Sequence, residues 1–579
     1  KEAASFHFDQ VVGALVEAGA PIGETGLRHV LIDSYEVHCQ NWTAEMPRQF
    51  QRLRGYGIAG YLPALTGRIV ADVDSTERFL WDFRRTLADL YHECYFGRFA
   101  DLCHGRGLLL SAEPYGNGNF DDLTAGGAVD IPMGEFWVGG GPGNGKLAAS
   151  IAHTYGRAIV GAESFTASDV NGRWQNHPGS LKALGDQVFC AGVNRYIFHR
   201  YAHQPWMNVV PGMTMGPWGF HFERTNTWWE QGAAWLQYIA RCQYLLQSGE
   251  YVADFLAMAE ENSPASMPLL NLPPGYEYDA CSPEVVMKRL AVKDGWLVAN
   301  GGSRYRALIL PPGDRMTPAL LERVAALAEA GATVIGPTYA ASPSLSGGPP
   351  SDARVAELSG SVRQGTVAEL LRDWALPPDF EVVGGQRDGV SFIHRRIDGA
   401  EVYFVASAAP QPRSLEAAFR VSGLRPELWD PVTGATRLAP VFREEDGRTT
   451  VSLAMEPAGS VFVVFREPVG EADPVVSLAR DGGDAFAPTL PEGLTLEVLE
   501  ASYGVLDRQL PDTVDVTDLA RNLLRDGRLE ISASNDLAGD PAPNLIKRLV
   551  VEYVLDGELR TASVVEGAGM VLPPEGEAG

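Results

Sequence analysis

Short apolar runs that each end in polar or acidic residues recur along the front of the chain, with helix-like stretches between them. His29-Val30-Leu31-Ile32-Asp33-Ser34-Tyr35-Glu36 is the first run and Gly107-Leu108-Leu109-Leu110-Ser111-Ala112-Glu113 the second. Ala128-Val129-Asp130-Ile131-Pro132-Met133-Gly134-Glu135, Arg157-Ala158-Ile159-Val160-Gly161-Ala162-Glu163 and Arg195-Tyr196-Ile197-Phe198-His199 follow. Helical stretches are expected around Phe50, from Glu77 to His104 and from Lys182 to Gly192. Strands that are almost continuously apolar and alternate with helices imply a parallel sheet covered on both faces. Four of the runs finish in glutamate, at Glu36, Glu113, Glu135 and Glu163. In a parallel barrel every strand's C-terminal end opens on the same side, so these carboxylates are expected at one mouth. The alternative, that each merely starts an exposed loop, needs the same acidic residue at successive strand ends by chance. The runs are expected to be strands four to eight of a (β/α)8 TIM barrel, which the chain would enter at the helix before the fourth strand.

A chain of 579 residues exceeds one hydrophobic core, so several domains are expected. The barrel portion is assigned to residues 1–249 and an α/β doubly wound domain to 250–357. Within the latter, Tyr305 to Pro311 reads as a strand, Thr317 to Gly331 as a helix and Ala332 to Gly336 as a strand. No glycine-rich phosphate loop accompanies them, so this unit reads as structural. A β-sandwich domain is expected over 358–470, with Asp398-Gly399 as a hairpin turn and Val461 to Phe465 as a buried strand. A partial β-rich domain, 471–579, begins near Pro474, includes Leu529 to Ser532 and Leu549 to Tyr553 as strands, and runs into Pro573-Pro574-Glu575-Gly576.

With 73 acidic against 47 basic residues, the chain carries a formal charge of −26, which disfavours nucleic acid and anionic membrane as partners. Neutral sugars meet no such barrier. No apolar run is long enough for a membrane span, and the six cysteines lack the close spacing of a zinc or disulfide framework. Localisation stays open at this level, with a periplasmic or extracellular place expected if an export signal precedes Lys1. Ten of eleven His and nine of twelve Trp lie at or before His221 and Trp235 respectively, which marks the front of the chain as the ligand-handling part. His199, His203, Trp206, Trp218, His221 and Glu223 crowd the segment after the last run, where sugar contacts are expected. A zinc site is the less favoured reading there, since no HExxH pattern accompanies the histidines.

Glycosidic cleavage needs one carboxylic acid to protonate the leaving oxygen and a second carboxylate to activate water or attack the anomeric carbon. Glu36 and Glu163, three strands apart and so nearly opposite in the expected barrel, satisfy that requirement. A carboxyl separation of about 5 Å gives retention and one of roughly 6.5–9.5 Å gives inversion.

The ordered motifs Asp33-Ser34-Tyr35-Glu36, Arg54-Gly55-Tyr56 with Tyr61-Leu62-Pro63, Glu113-Pro114-Tyr115-Gly116, Glu163-Ser164-Phe165-Thr166 and Pro211-Gly212-Met213-Thr214 through Trp218-Gly219 resemble glycoside hydrolase family 106. The resemblance covers roughly Lys1 to Phe465 and includes a less specific Trp429-Asp430-Pro431 turn. It implies an inverting, calcium-assisted α-L-rhamnosidase acting on terminal α-L-rhamnosyl residues of plant or microbial glycans. Glu36 then matches the general acid and Glu163 the general base, and Glu135 falls at an active-site position as a metal or hydroxyl ligand. Substrate contacts are expected from Glu113, Tyr115, Glu135, His199 and Trp218. A general acid must stay protonated, so Glu36 is expected in drier or more anionic surroundings than Glu163, with Tyr35 and Trp42 as sources of dryness unless Tyr35 is core. Two other readings remain open: a retaining, β-galactosidase-like barrel enzyme, and a carbohydrate-binding fragment without turnover.

Overall fold

A computed structural model of the chain describes residues 1–216, 218–470, 479–480, 483–484, 496–505, 513–524, 528–535, 537, 539, 541, 547–555 and 558–573. The chain divides into two compact units, Lys1–Pro488 and Thr489–Gly579.

The first sheet holds β1 (His29–Ile32), β2 (Leu109–Ala112), β3 (Ile131–Trp137), β4 (Gly161–Thr166) and β5 (Arg195–Phe198), all parallel and in sequential order. Helices connect successive strands, among them Met46–Arg54 and Val73–Tyr91 before β2, Gly145–Tyr155 before β4 and Pro178–Cys190 before β5. Leu110, Ala112, Met133 and Ala162 are fully buried in the sheet, as strands covered by helices require. The long helix starts where the Asp72 carboxylate accepts a hydrogen bond from the Ser75 amide at 2.7 Å, satisfying one of the open N–H groups of its first turn.

Two strands run differently from the sequence expectation. β3 continues past Glu135 to Trp137, and β4 begins at Gly161 rather than Arg157 and continues past Glu163 to Thr166. Glu135 and Glu163 therefore lie inside their strands, opposite each other in the parallel register. After β5 a short turn at Glu230–Gly232 leads into the helix Ala233–Leu246. Trp228 sits ahead of it, packed on Phe220 and Trp235, with its indole N–H donated to the Asn176 carbonyl at 2.8 Å.

A second parallel sheet orders strands Thr333–Ile335, Ala307–Ile309, Phe255–Met258 and Tyr278–Cys281. Arg78, on the long helix, clamps Asp352 of helix Gly348–Leu358 through two parallel bonds of 2.8 and 2.9 Å, a geometry specific to guanidinium and carboxylate. Two antiparallel sheets then pack over a core of Leu415, Phe419, Tyr403, Val451 and Phe465. The hairpin Val390–Ile397 to Ala400–Ser407 turns at Asp398 and Gly399, both at positive φ (49° and 86°), as the Asp-Gly pair leads one to expect. In the second unit, Leu496–Gly504, Arg548–Leu555 and Glu558–Val565 form an antiparallel sheet with Thr513–Asp515, and Leu529–Ser532 pairs with Gly569–Leu572. Pro474 and Pro574 to Gly576, named above as the limits of that module, lie outside the described residues. No described helix is long and apolar enough to cross a membrane, and all six thiols are free.

A buried ionic network sits in the sandwich. His394 Nδ1 lies 2.9 Å from Asp379 and Nε2 2.8 Å from Glu401, while Arg420 contacts both Asp379 and Asp254, and Tyr403 donates to Asp379 at 3.1 Å. Burial opposes charge on His394, but the two carboxylates outweigh it and raise its pKa. Burial also disfavours the Asp379 and Glu401 anions, and the imidazolium outweighs that and lowers both pKa values. The histidine's contribution to stability is full below its unfolded value of 6.5 and is lost as pH rises through its higher folded value. The contribution of the two carboxylates is full above their unfolded values and is lost as pH falls through their depressed ones. His394→Leu removes the shared cation, leaving Asp379 to Arg420 and Tyr403 and Glu401 to Arg396, and is expected to destabilise the first unit by about 1–3 kcal/mol. In thermal melts the loss should be greatest at about pH 5 to 6 and shrink on the alkaline side; a loss indifferent to pH would mean the imidazole is not charged.

Candidate active site

At the end of β1 the chain turns through Asp33 to Glu36 and is fastened to the loop after β2. The Tyr35 amide donates to the Tyr115 carbonyl at 2.9 Å, and the Asn117 amide donates to the Tyr35 carbonyl at 2.8 Å. This close crossing requires Gly116, whose φ is 138° and where a Cβ would stand 2.0 Å from the Tyr35 carbonyl oxygen. The Tyr35 ring is buried edge-on against Tyr91, Tyr95 and Phe120, with centroids 5.3–5.9 Å apart, so of its two expected fates it takes the core one. With the tyrosine held inward, Asp33 and Glu36 stay exposed, and the Ser34 hydroxyl donates to Glu36 at 3.2 Å.

Glu113 follows β2 directly and is only 2 % exposed, with the Tyr115 hydroxyl donating to it at 2.8 Å. Residues two apart on an extended segment share a face, and the same spacing brings the Trp137 indole N–H onto Glu135 at 2.7 Å. Trp137 meets Trp218 edge to face with centroids 5.6 Å apart, and both rings are exposed. β4 carries the least regular backbone of the site. Its register with β3 steps from Glu135↔Glu163 to Trp137↔Thr166, so Ser164 and Phe165 together oppose Phe136. Phe165 adopts φ 61°, a strained left-handed conformation for a non-glycine residue, and is fully buried. Because of that extra residue, Thr166 returns to the face of Glu163 and its hydroxyl donates to the carboxylate at 2.5 Å. A regular strand would send residues three apart to opposite faces.

Asp33, Glu113 and Glu163 each place a carboxylate oxygen within 4.8 Å of the others. Burial is the main reason that the Glu113 pKa rises, to about 9, and repulsion from Asp33, Glu163 and Glu135 adds to it while the Tyr115 hydroxyl opposes it. Burial first, then neighbouring carboxylates, also raise Glu135 and Glu163. Among the described residues the nearest basic group is His199, with Nδ1 3.7 Å from Glu163, and burial lowers the pKa of that imidazole.

Of the residues expected from the sequence, Glu113, Tyr115, Glu135, Glu163 and His199 are linked directly, Trp218 through Trp137, and Glu36 through its charge on Glu135 and Glu163, whereas His203 and Trp206 are exposed and His221 and Glu223 are buried in the segment after β5. The expectation of a drier Glu36 is not met. Glu36 is exposed in the loop after β1, whereas Glu113 is buried beside β2 and Glu163 is half-buried within β4. Asp33, Trp137 and Thr166 went unassigned in the sequence. Asp33 could have been found as the first polar residue after an apolar run, and Trp137 by its two-residue step from Glu135; nothing marks Thr166, whose position depends on the bulge.

Three close carboxylates without a basic partner destabilise the fold that holds them. Glu113→Gln, which keeps the shape and removes the need to protonate a carboxylate on folding, is expected to stabilise the metal-free protein at neutral pH by about 1–3 kcal/mol. A melting temperature equal to or below that of the wild type would show that the cluster is not repulsive.

The sequence model of glycoside hydrolase family 106, described as alpha-L-rhamnosidase, matches residues 1–443. A "Putative beta-glucuronidase" of Formosa agariphila is 39% identical over 564 residues, 95% of this chain and 48% of that protein. The rhamnosidase structure from Novosphingobium sp. PP1Y superposes with a TM-score of 0.76 at 32% identity, over 95% of this chain and 53% of that one. The chain thus spans about half the length of these two relatives. On the extent of the family match and the similarity to a solved rhamnosidase, the chain belongs to glycoside hydrolase family 106, the alpha-L-rhamnosidase family.

Proposed function

We propose that this chain carries the active site of an inverting α-L-rhamnosidase, with Glu36 as general acid and Glu163 as general base. The observation that carries the reading is the meeting of Asp33 and Glu113, just past the ends of two parallel strands, with Glu163, inside a third, and with Glu135 beside them. Family membership supports the same class of chemistry. In this reading the five-stranded sheet is part of an eight-stranded barrel, whose active sites lie on that face. Glu36, exposed at the rim, protonates the departing glycosidic oxygen. Glu163, oriented by Thr166, accepts a proton from the attacking water. Exposed Trp137 and Trp218 offer apolar faces to the sugar ring.

The donor set fits calcium. Asp33, Glu113 and Glu163 bring hard carboxylate oxygens within 4.8 Å of one another, with Glu135 near enough for its charge to act on Glu113; Glu113 is buried, and no Lys or Arg among the described residues neutralises them. Bound there, the ion supplies positive charge that offsets their repulsion and fixes sugar hydroxyls.

A second reading takes its support from the name of the Formosa relative and would release a uronic acid instead. The two separate on product. Proton NMR during incubation with p-nitrophenyl α-L-rhamnoside and calcium is expected to show β-L-rhamnose first; initial α-L-rhamnose would establish retention, and turnover of a β-glucuronide alone would favour the second reading. Glu36→Gln and Glu163→Gln should each lower kcat by about 10²–10⁴-fold with folding intact, and unimpaired turnover in either sinks that residue's role. EDTA is expected to lower both activity and melting temperature and calcium to restore both, whereas indifference in both readouts would remove the metal.

A further inference from the structure

The second parallel sheet reverses its strand order beside Phe255–Met258: Tyr278–Cys281 lies on one side of that strand, and Ala307–Ile309 followed by Thr333–Ile335 on the other. In an open parallel sheet, the crevice outside the carboxyl ends of two strands that part in this way is where small molecules bind. Here the loops leaving Phe255–Met258 and Ala307–Ile309 meet the side of the long helix Val73–Tyr91 around a cavity of about 440 Å³, floored by the buried side chains of Trp81, Met258 and Met316. None of the residues lining it belongs to the carboxylate mouth.

The polar groups around the cavity fall into two sets. Arg78 is committed to Asp74 and Asp352, Arg315 to Asp74, and both oxygens of Glu261 to the Thr317 amide at 2.8 Å and hydroxyl at 2.7 Å. Glu261 thereby fills the N-terminus of helix Pro318–Glu329, where a phosphate would otherwise be drawn. Arg84, Glu77 and Asp314 have no side-chain hydrogen bond or ion pair among the described residues, and Glu260 receives only the Asn262 amide. Their order along the crevice follows from the helix. Two turns separate Glu77 from Arg84, about 10 Å along one face, with Trp81 between them. The Asn119 amide donates to the Arg84 carbonyl at 2.9 Å and to Ser263 at 3.2 Å, which sets the loop after Phe255–Met258 at that end, and the Trp81 indole N–H reaches Asn262 at 2.9 Å. Arg315 reaches Asp74 at 2.7 Å, which brings Asp314 to the Glu77 end. The crevice thus offers a guanidinium at one end, Glu260 between, and two carboxylates at the other, over an apolar floor.

A neutral ligand gains nothing from these charges, a diamine is repelled by Arg84, and a dicarboxylate is repelled by Glu77 and Asp314. A basic amino acid meets each of them: its carboxylate takes the guanidinium, its α-ammonium Glu260, its methylene stem the floor, and its terminal cation Glu77 and Asp314. We propose that this crevice binds a free basic amino acid of the lysine kind, at a site separate from the carboxylate mouth and independent of what that mouth cleaves.

Titration calorimetry on the full chain tests it with L-lysine, with cadaverine, which lacks the carboxylate, and with L-norleucine, which lacks the terminal ammonium. L-lysine is expected to bind at least about tenfold more tightly than either. Arg84→Gln should weaken L-lysine by about tenfold without weakening cadaverine, whereas Asp314→Asn should weaken both and leave norleucine unchanged. Arg84 is half-buried and Asp314 exposed, and neither side chain holds another residue, so both variants should melt as the wild type does. Nα-acetyl-L-lysine, which stands for the end of a peptide, should bind more weakly than L-lysine because Glu260 loses its ammonium; equal affinity overturns the free amino acid as the ligand. Absence of saturable heat with L-lysine, equal affinity for the three probes, or wild-type lysine affinity in a folded Arg84→Gln overturns the site.

Discussion

Repulsion among carboxylates is the constraint that the rest of the first unit has to bear. Parallel strand order brings Asp33 and Glu113, just past β1 and β2, to the same side as Glu135 and Glu163, which face each other in register inside β3 and β4. The same chain shows how buried carboxylates are handled when nothing need bind them: Asp379 and Glu401 are given His394, with Arg420 behind Asp379, and their pKa values fall. Glu113 and Glu163 receive only hydroxyls from Tyr115 and Thr166, and theirs rise. Two opposite responses to the same chemical problem, in one chain, separate a structural network from a site kept ready for an external partner.

The rigidity that holds the carboxylates together comes from outside the first sheet. Helix Gly145–Tyr155 leads into β4, and its Lys146 donates to the Tyr251 hydroxyl at 2.9 Å and to Glu277 at 3.0 Å. Tyr251 belongs to a short strand that completes the edge of the six-stranded sandwich sheet, and Glu277 immediately precedes strand Tyr278–Cys281 of the second parallel sheet. One buried ammonium thus joins the barrel-like sheet, the α/β portion and the sandwich, and a continuous apolar core runs through the same region.

Much of this was legible in the sequence because the signals were local and repeated. Apolar runs fixed the five strands, the recurring glutamates marked the mouth, and Asp398-Gly399 announced its turn through the conformations those two residues tolerate. Strand limits were less legible, since pairing with a neighbour carried β3 and β4 beyond their acidic residues. Arg84 also escaped notice: the crevice it lines joins segments that are distant in the sequence.

The bulge in β4 ties chemistry to packing in an unusual way. Phe165 is seated among Phe136, Tyr196, Phe220 and Trp235, and that aromatic nest holds its backbone in a conformation it would otherwise avoid. The direction in which Glu163 offers its lone pairs is therefore governed by rings that never touch sugar. For a lineage drifting under selection, the aromatic nest is as much a part of the carboxylate cluster as Glu163 itself, and its side chains should tolerate exchange less freely than burial alone would suggest.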